Sequence, residues 1–207
     1  MKEIPEYEKD LASIRNMMER SVKFISLSGM SGVLSGIYAI LGAIAAYFMV
    51  HYPISPFNQR VYSINDAETL SQLTLIAIVV LTASLVTGFL FSSRKARKYN
   101  EKLWNATTKK LLINLCIPLF TGGFFILILL YTGHFGVAAP ASLIFYGLAL
   151  IQGSANMYDE VRYLGFCEIV LGLVSALFPG YGLIFWVMGF GILHVVYGTI
   201  MHNKYDR

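Results

Sequence analysis

Glu168 and His194 are the ionisable side chains that fall clearly inside the long apolar stretches of this 207-residue chain. A carboxyl beside an imidazole can hold, exchange or pass a proton. Ionisable groups set among apolar residues are costly and mark function by default. Glu168 follows Arg162 by six residues, about 9 Å along a helix rising ~1.5 Å per residue. His194 precedes His202 by eight, about 12 Å on the same scale. The matching depths, on consecutive helices joined by a tight turn, predict a Glu168–His194 contact. Gly165, Gly172 and Ser175 share the helix face of Glu168. Small residues let a neighbouring helix approach closely, so this carboxyl is expected to point into a bundle. Asn114, Gln152 and Asn156 fall in the same half, with Ser28, Ser31, Ser84 and Thr87. Together they predict a polar pocket whose ligand-binding or proton-titrating pair is Glu168 and His194, with Gln152, Asn156 and Asn114 as walls. The same residues also read as interhelical hydrogen-bond glue, with Glu168 snorkelling to the interface.

The elements that must position these groups follow from the charge distribution. Only 14% of residues are charged and 56% are hydrophobic. Residues 24–59, 69–93, 111–158 and 169–203 contain no Asp, Glu, Lys or Arg. A soluble domain needs polar surface along nearly every helix and strand, so runs of this length exclude one. The apolar content excludes disorder, and two cysteines exclude a disulfide scaffold. A bilayer core takes about 20 mostly apolar residues per helix. Dividing the runs at His51-Tyr52-Pro53, at Gly133-His134-Phe135-Gly136 and at Phe178-Pro179-Gly180-Tyr181-Gly182 predicts an all-α bundle. It has six transmembrane helices, over 24–50, 70–92, 110–131, 140–158, 162–178 and 182–202, in a membrane domain of residues 24–203.

Lys and Arg orient it. Fifteen of the sixteen lie in the N-terminal segment, the connections between helices two and three and between four and five, or the 204–207 tail; Arg60 alone lies on the other side. This bias predicts a multi-pass protein of the cytoplasmic membrane with both termini in the cytoplasm, the polar pocket opening to that side. Helix one is expected to act as an uncleaved insertion signal, because the 23 residues before it are charged throughout. Within residues 1–23, Ile4, Tyr7, Leu11, Ile14 and Met18 recur at helical spacing, while Arg15–Glu19 and Glu19–Lys23 form i,i+4 pairs. An amphipathic helix lying on the membrane surface is expected there. Arg94, Lys95, Arg97 and Lys98 stand where anionic head groups would meet them, each worth on the order of 1 kcal/mol. The net charge of +4 restates this bias and gives no reason to expect nucleic acid.

Other chemistries are poorly supplied. The chain has no His-Glu-x-x-His, no Cys-x-x-Cys and no Gly-x-x-x-x-Gly-Lys, so no metal or phosphate site is expected. Gly29-Met30-Ser31-Gly32 has the Gly-x-Ser-Gly form of rhomboid intramembrane proteases, but its serine lies in helix one near the cytoplasmic face. Those proteases carry theirs in a later helix near the opposite face. His51 and His134 are the pair that facing helices could offer a haem; both read as interfacial, and no cofactor is expected. Cys116 and Cys167 read as small packing residues. Ser28, Gly32 and Gly36 form a small-residue stripe on helix one, a packing face for another helix, a second copy or a protein partner. The leading functional reading is binding or transport of a small solute, lipid or proton. The alternative is a regulatory or assembly subunit acting through helix contacts, and an enzyme is the least supported class.

Overall fold

A computed structural model describes residues 28–50, 67–98, 104, 106–155 and 157–206; the segment expected to form the surface helix, together with His51, Arg60 and Asn156, lies outside the described residues. Every regular element among them is helical. Helix α1 is Gly29–Val50, α2 Ala67–Lys98, α3 Ala106–Tyr131, α4 Ala138–Ser154 and α5 Asp159–Leu177. Helix α6 covers Gly182–Asp206. Five of these helical stretches, all but α5, are long and apolar enough to cross a membrane, and the chain is accordingly a membrane protein. Helix α5 stands apart because Asp159, Glu160, Arg162 and Glu168 dilute its apolar composition.

The turns fall where Gly and Pro interrupt the apolar runs. Gly133 (φ 79°) closes α3 and Gly180 (φ 95°) closes α5, each in the left-handed region that a side chain resists. Helix α2 continues six residues beyond the expected end, through Arg94 to Lys98, where cations complement the negative end of the helix dipole. Helix α3 runs on through Pro118 without a break. The irregular helix is instead α6, where Val187–Leu193 winds in π-helical turns between two α-helical stretches, Gly182–Trp186 and His194–Met201. Gly189 and Gly191 lie inside that segment, where weak helix propensity and missing side chains make a wider turn inexpensive.

Glycines set the helix spacing. On α1, a methyl added at Gly36 would stand 2.7 Å from the Gly191 carbonyl of α6, and one at Gly32 3.2 Å from the Gly198 Cα. The small-residue stripe of α1 therefore lies against α6 of the same chain. Helices α4 and α5 meet reciprocally: Gly147 faces the Gly165 carbonyl, which a methyl would approach to 2.6 Å, and Gly165 faces the Gly147 carbonyl at 2.8 Å. Helix α2 packs on α1, where the Tyr38 hydroxyl and Thr87 Oγ1 are 3.2 Å apart, and α3 packs on α4. Helix α6 thus lies between the α1–α2 pair and the α3–α4–α5 group.

The C-terminal residues, read from sequence as a short tail, extend α6 and tie three helix ends together. Asp206 accepts hydrogen bonds from the Gly29 amide (2.8 Å) at the start of α1 and from Lys95 Nζ (2.6 Å) on α2. Its carboxylate thereby satisfies an otherwise orphaned donor of the α1 N-terminus from across the bundle. Lys204 Nζ (2.5 Å) and the Tyr205 hydroxyl (3.1 Å) donate to Glu160 in the first turn of α5. Partial burial opposes ionisation of Glu160, but the Lys204 hydrogen bond and the other donors outweigh it and hold the carboxyl below its ordinary value.

Two outcomes are expected. Gly36→Leu should lower stability by about 1–3 kcal/mol through overpacking, whereas Gly88→Leu, with open space around its Cα, should be close to neutral; thermal unfolding in detergent compares them. A depressed carboxyl stabilises above its unfolded value and loses that contribution as pH falls through the folded one. Acidification below about pH 4 should therefore loosen residues 202–206, read by amide exchange, and Glu160→Gln should show the looser tail already at neutral pH.

Candidate functional site

Where α4, α5 and α6 converge, the glycine contacts bring polar groups into an apolar interior. Glu168, in the middle of α5, is 0% exposed. Its neighbour across the interface is Gly189, where an added methyl would lie 2.5 Å from Glu168 Oε2 and 2.5 Å from Leu143 Cδ2. The carboxyl therefore occupies the volume that a side chain at position 189 would need.

His194 begins the α-helical stretch after the π-helical turns and is also buried. Its Nδ1 lies 3.0 Å from the Gly189 carbonyl and 3.5 Å from Glu168 Oε1. A carbonyl oxygen only accepts, so Nδ1 carries a proton and donates it. On the other side of the ring, Nε2 lies 2.8 Å from the Tyr146 hydroxyl of α4. In the neutral imidazole, Nε2 is the acceptor and Tyr146 the donor. Tyr146 also holds the ring by contact, with centroids 5.4 Å apart, and Phe190 covers both.

Among the described residues, both Glu168 oxygens and the Ser175 hydroxyl are buried without a hydrogen-bond partner. Leaving such a group unsatisfied costs about 1–3 kcal/mol, more for a charge. Two arrangements keep the cluster neutral overall, a carboxylic acid beside an imidazole and a carboxylate beside an imidazolium. They differ by the position of one proton. The arrangement can therefore redistribute a proton between carboxyl and imidazole without placing net charge in the apolar interior, whereas gaining or losing one changes that charge.

The residues expected to form this site separate in the structure. Glu168 and His194 come together. Gln152 is exposed on α4, pointing away from the interior, and Asn114 is half-buried on α3, which packs against α4. Ser28 and Ser31 are buried at the start of α1, where Ser31 donates to the Ser28 carbonyl (2.7 Å) and Ser28 to Asp206 (3.2 Å). Cys116 is half-buried and Cys167 exposed. Tyr146 and Gly189 were not singled out by sequence reasoning. Tyr146 sits among apolar and aromatic residues as one more amphipathic ring, and Gly189 as one of many glycines.

Space for a molecule lies elsewhere. A cleft of about 680 Å³ opens between α2 and α3, floored by α1, α4 and α6 near Gly42, Leu73, Phe124 and Trp186. Its hydroxyls, Thr74 and Ser142, already donate to the Leu70 and Ala139 carbonyls, so the lining presents an apolar surface. Among the described residues, no group of three or more His, Cys, Asp or Glu is placed to hold a metal ion. Comparison with known protein families, curated proteins and solved structures finds no match to the chain.

Because Glu168 and Gly189 share one volume, their substitutions should couple. Gly189→Ala is expected to destabilise the wild-type background by about 1–3 kcal/mol and the Glu168→Ala background by less. A double-mutant cycle on unfolding in detergent should return an interaction of roughly 1 kcal/mol, and additive effects would contradict the packing.

Proposed function

We propose that this chain is a six-span protein of the cytoplasmic membrane, with both termini in the cytoplasm, that binds or moves a small solute or proton with Glu168 and His194 as its titrating pair. The observation that carries the reading is the Glu168–His194–Tyr146 cluster. A buried carboxyl with no hydrogen-bond partner is expensive to maintain, and helix packing alone would be served better by an apolar side chain. Such a group is retained where its protonation does something. The lysine and arginine bias argues for the orientation. Helix α5, though its N-terminal turn is charged, supplies the sixth span once Asp159 and Glu160 lie at the interface. Arg94, Arg97 and Lys98, exposed at the end of α2, fit anionic head groups, while Lys95 turns inward to Asp206.

The alternative, a regulatory or assembly subunit, relied on the expected N-terminal helix, which lies outside the described residues, and on the small-residue face of α1. That face lies against α6, and this favours the titrating reading. The exposed position of Gln152 and the apolar lining of the large cleft also weigh against a polar pocket for an organic solute and toward the smaller ligand.

The test is functional. In vesicles containing the full chain, Glu168→Gln should abolish any pH-dependent flux or binding while thermal unfolding and oligomeric state stay close to wild type. Wild-type flux with an unchanged pH profile in Glu168→Gln would remove Glu168 from the mechanism.

A further inference from the structure

Glu168 is sealed from solvent and packed so tightly against Gly189 that a methyl group would not fit between them. A proton needs no cavity, but it does need a chain of groups that can accept on one side and donate on the other. The imidazole of His194 is built into such a chain. One nitrogen lies 2.8 Å from the Tyr146 hydroxyl, and the other, which donates to the Gly189 carbonyl, has Glu168 Oε1 3.5 Å away.

We propose that Tyr146, His194 and Glu168 form a proton relay, with the proton as the ligand of this site and the Tyr146 hydroxyl as the group that hands it to the imidazole. The inference rests on the reading of Glu168 as the titrating group and adds the ligand and its route. A proton arriving at the Tyr146 oxygen forms a new O–H bond there as the original O–H bond breaks and its proton passes to His194 Nε2. The Nδ1–H bond breaks in turn, and its proton forms an O–H bond at Oε1 of the Glu168 carboxylate. One proton has entered, the imidazole has changed tautomer, and no oxidation state has changed. Release of the proton runs the same steps backward.

The Gly189 carbonyl sets the resting tautomer of this chain, and the transfer to Glu168 gives up its hydrogen bond. Because it can only accept, it keeps a proton on Nδ1 while Nε2 waits for the one from Tyr146. The π-helical turns matter here, since they bring a carbonyl five residues earlier under the ring of His194. Among the described residues, the titratable groups facing Glu168 from the helices packed on it are Tyr146 of α4 and His194 of α6. Helix α1 approaches the other side of α6 with Gly29, Gly32 and Gly36. Tyr197 marks the end of α6 nearer to solvent. It lies one turn beyond His194 toward the Glu160–Tyr205 contact and packs with Tyr146 against the same buried cluster around Leu150 and Val161. That end of α6 carries the exposed Lys204, where solvent protons are at hand.

The experiment is a pH jump on the full chain in vesicles, followed by time-resolved infrared difference spectroscopy. The protonated-carboxyl band that Glu168→Gln removes belongs to Glu168. Tyr146→Phe keeps the ring and loses only the hydroxyl; it is expected to slow the rise of that band by on the order of 10²-fold while leaving its final amplitude unchanged. His194→Gln, whose amide can still donate to Gly189 but cannot shuttle a proton, should slow it as well, and decides the matter if Tyr146→Phe does not fold. A Glu168 band that rises at the wild-type rate in these variants overturns the relay but leaves Glu168 as the titrating group. A spectrum with no band lost in Glu168→Gln overturns both.

Discussion

Close approach of glycine to backbone is the constraint on which this architecture depends. Lipid chains are as apolar as leucine, so burying leucine between helices gains little in a bilayer, and association must come from contact at short range. Gly147 against Gly165 joins α4 to α5, and Gly32 and Gly36 against Gly198 and Gly191 join α1 to α6. Each contact replaces a side chain with a neighbour's main chain. Large side chains accordingly point outward along these helices, as Leu41, Phe120 and Leu173 do. Those exposed residues are what a hydrocarbon solvent accepts.

The same closeness creates the dry volume in which Glu168 sits. Were α5 and α6 held apart by side chains, water could follow the carboxyl inward and its protonation would have little consequence. With Gly189 opposite, the volume is filled by the carboxyl itself, and its electrostatic partners are reduced to what the helices present. Among the described residues, only His194 comes within ion-pair reach of it. His194 in turn is held by groups from two helices, a carbonyl of α6 and a hydroxyl of α4. Both ring nitrogens are committed, so the orientation of the ring is set by packing and hydrogen bonding together.

Much of this was legible in the residue order, for physical reasons that also mark its limit. Charge-free runs and Gly-Pro turns locate helices because the bilayer and the left-handed turn each tolerate few residue types. Placing Glu168 beside His194 required only helical rise and a tight connection. Polar type alone, however, does not say which way a side chain faces. Gln152 lies one residue from buried Gly153 yet on the exposed side, since successive helical residues are about 100° apart around the axis. The π-helical turns were illegible for a related reason. Pro118 is a stronger local signal for distortion than Gly189 or Gly191, but α3 absorbs the missing donor, while the wide turn in α6 answers to the carboxyl and ring packed against it. Lys95 reads as one of a cationic cluster, and only the return of Asp206 from the far end of the chain distinguishes it.

That wide turn links two otherwise separate parts of the molecule. Within it, Gly189 faces Glu168 of α5, and Gly191 faces Ile40 of α1, where a methyl would stand 2.8 Å from Cγ1. One segment of backbone therefore borders both the titratable cluster and the α1–α2 pair. An α-helix could not serve both borders equally, because its fixed turn would carry His194 around the axis and away from the carbonyl it now meets. A π-helical turn has poorer hydrogen-bond geometry than an α-helical one and survives where the surroundings compensate it. Here the compensation is the His194–Gly189 bond on one side and close glycine packing on the other. The local cost of the distortion is offset by the contacts that seal Glu168, so the helix irregularity and the buried carboxyl are two parts of one arrangement.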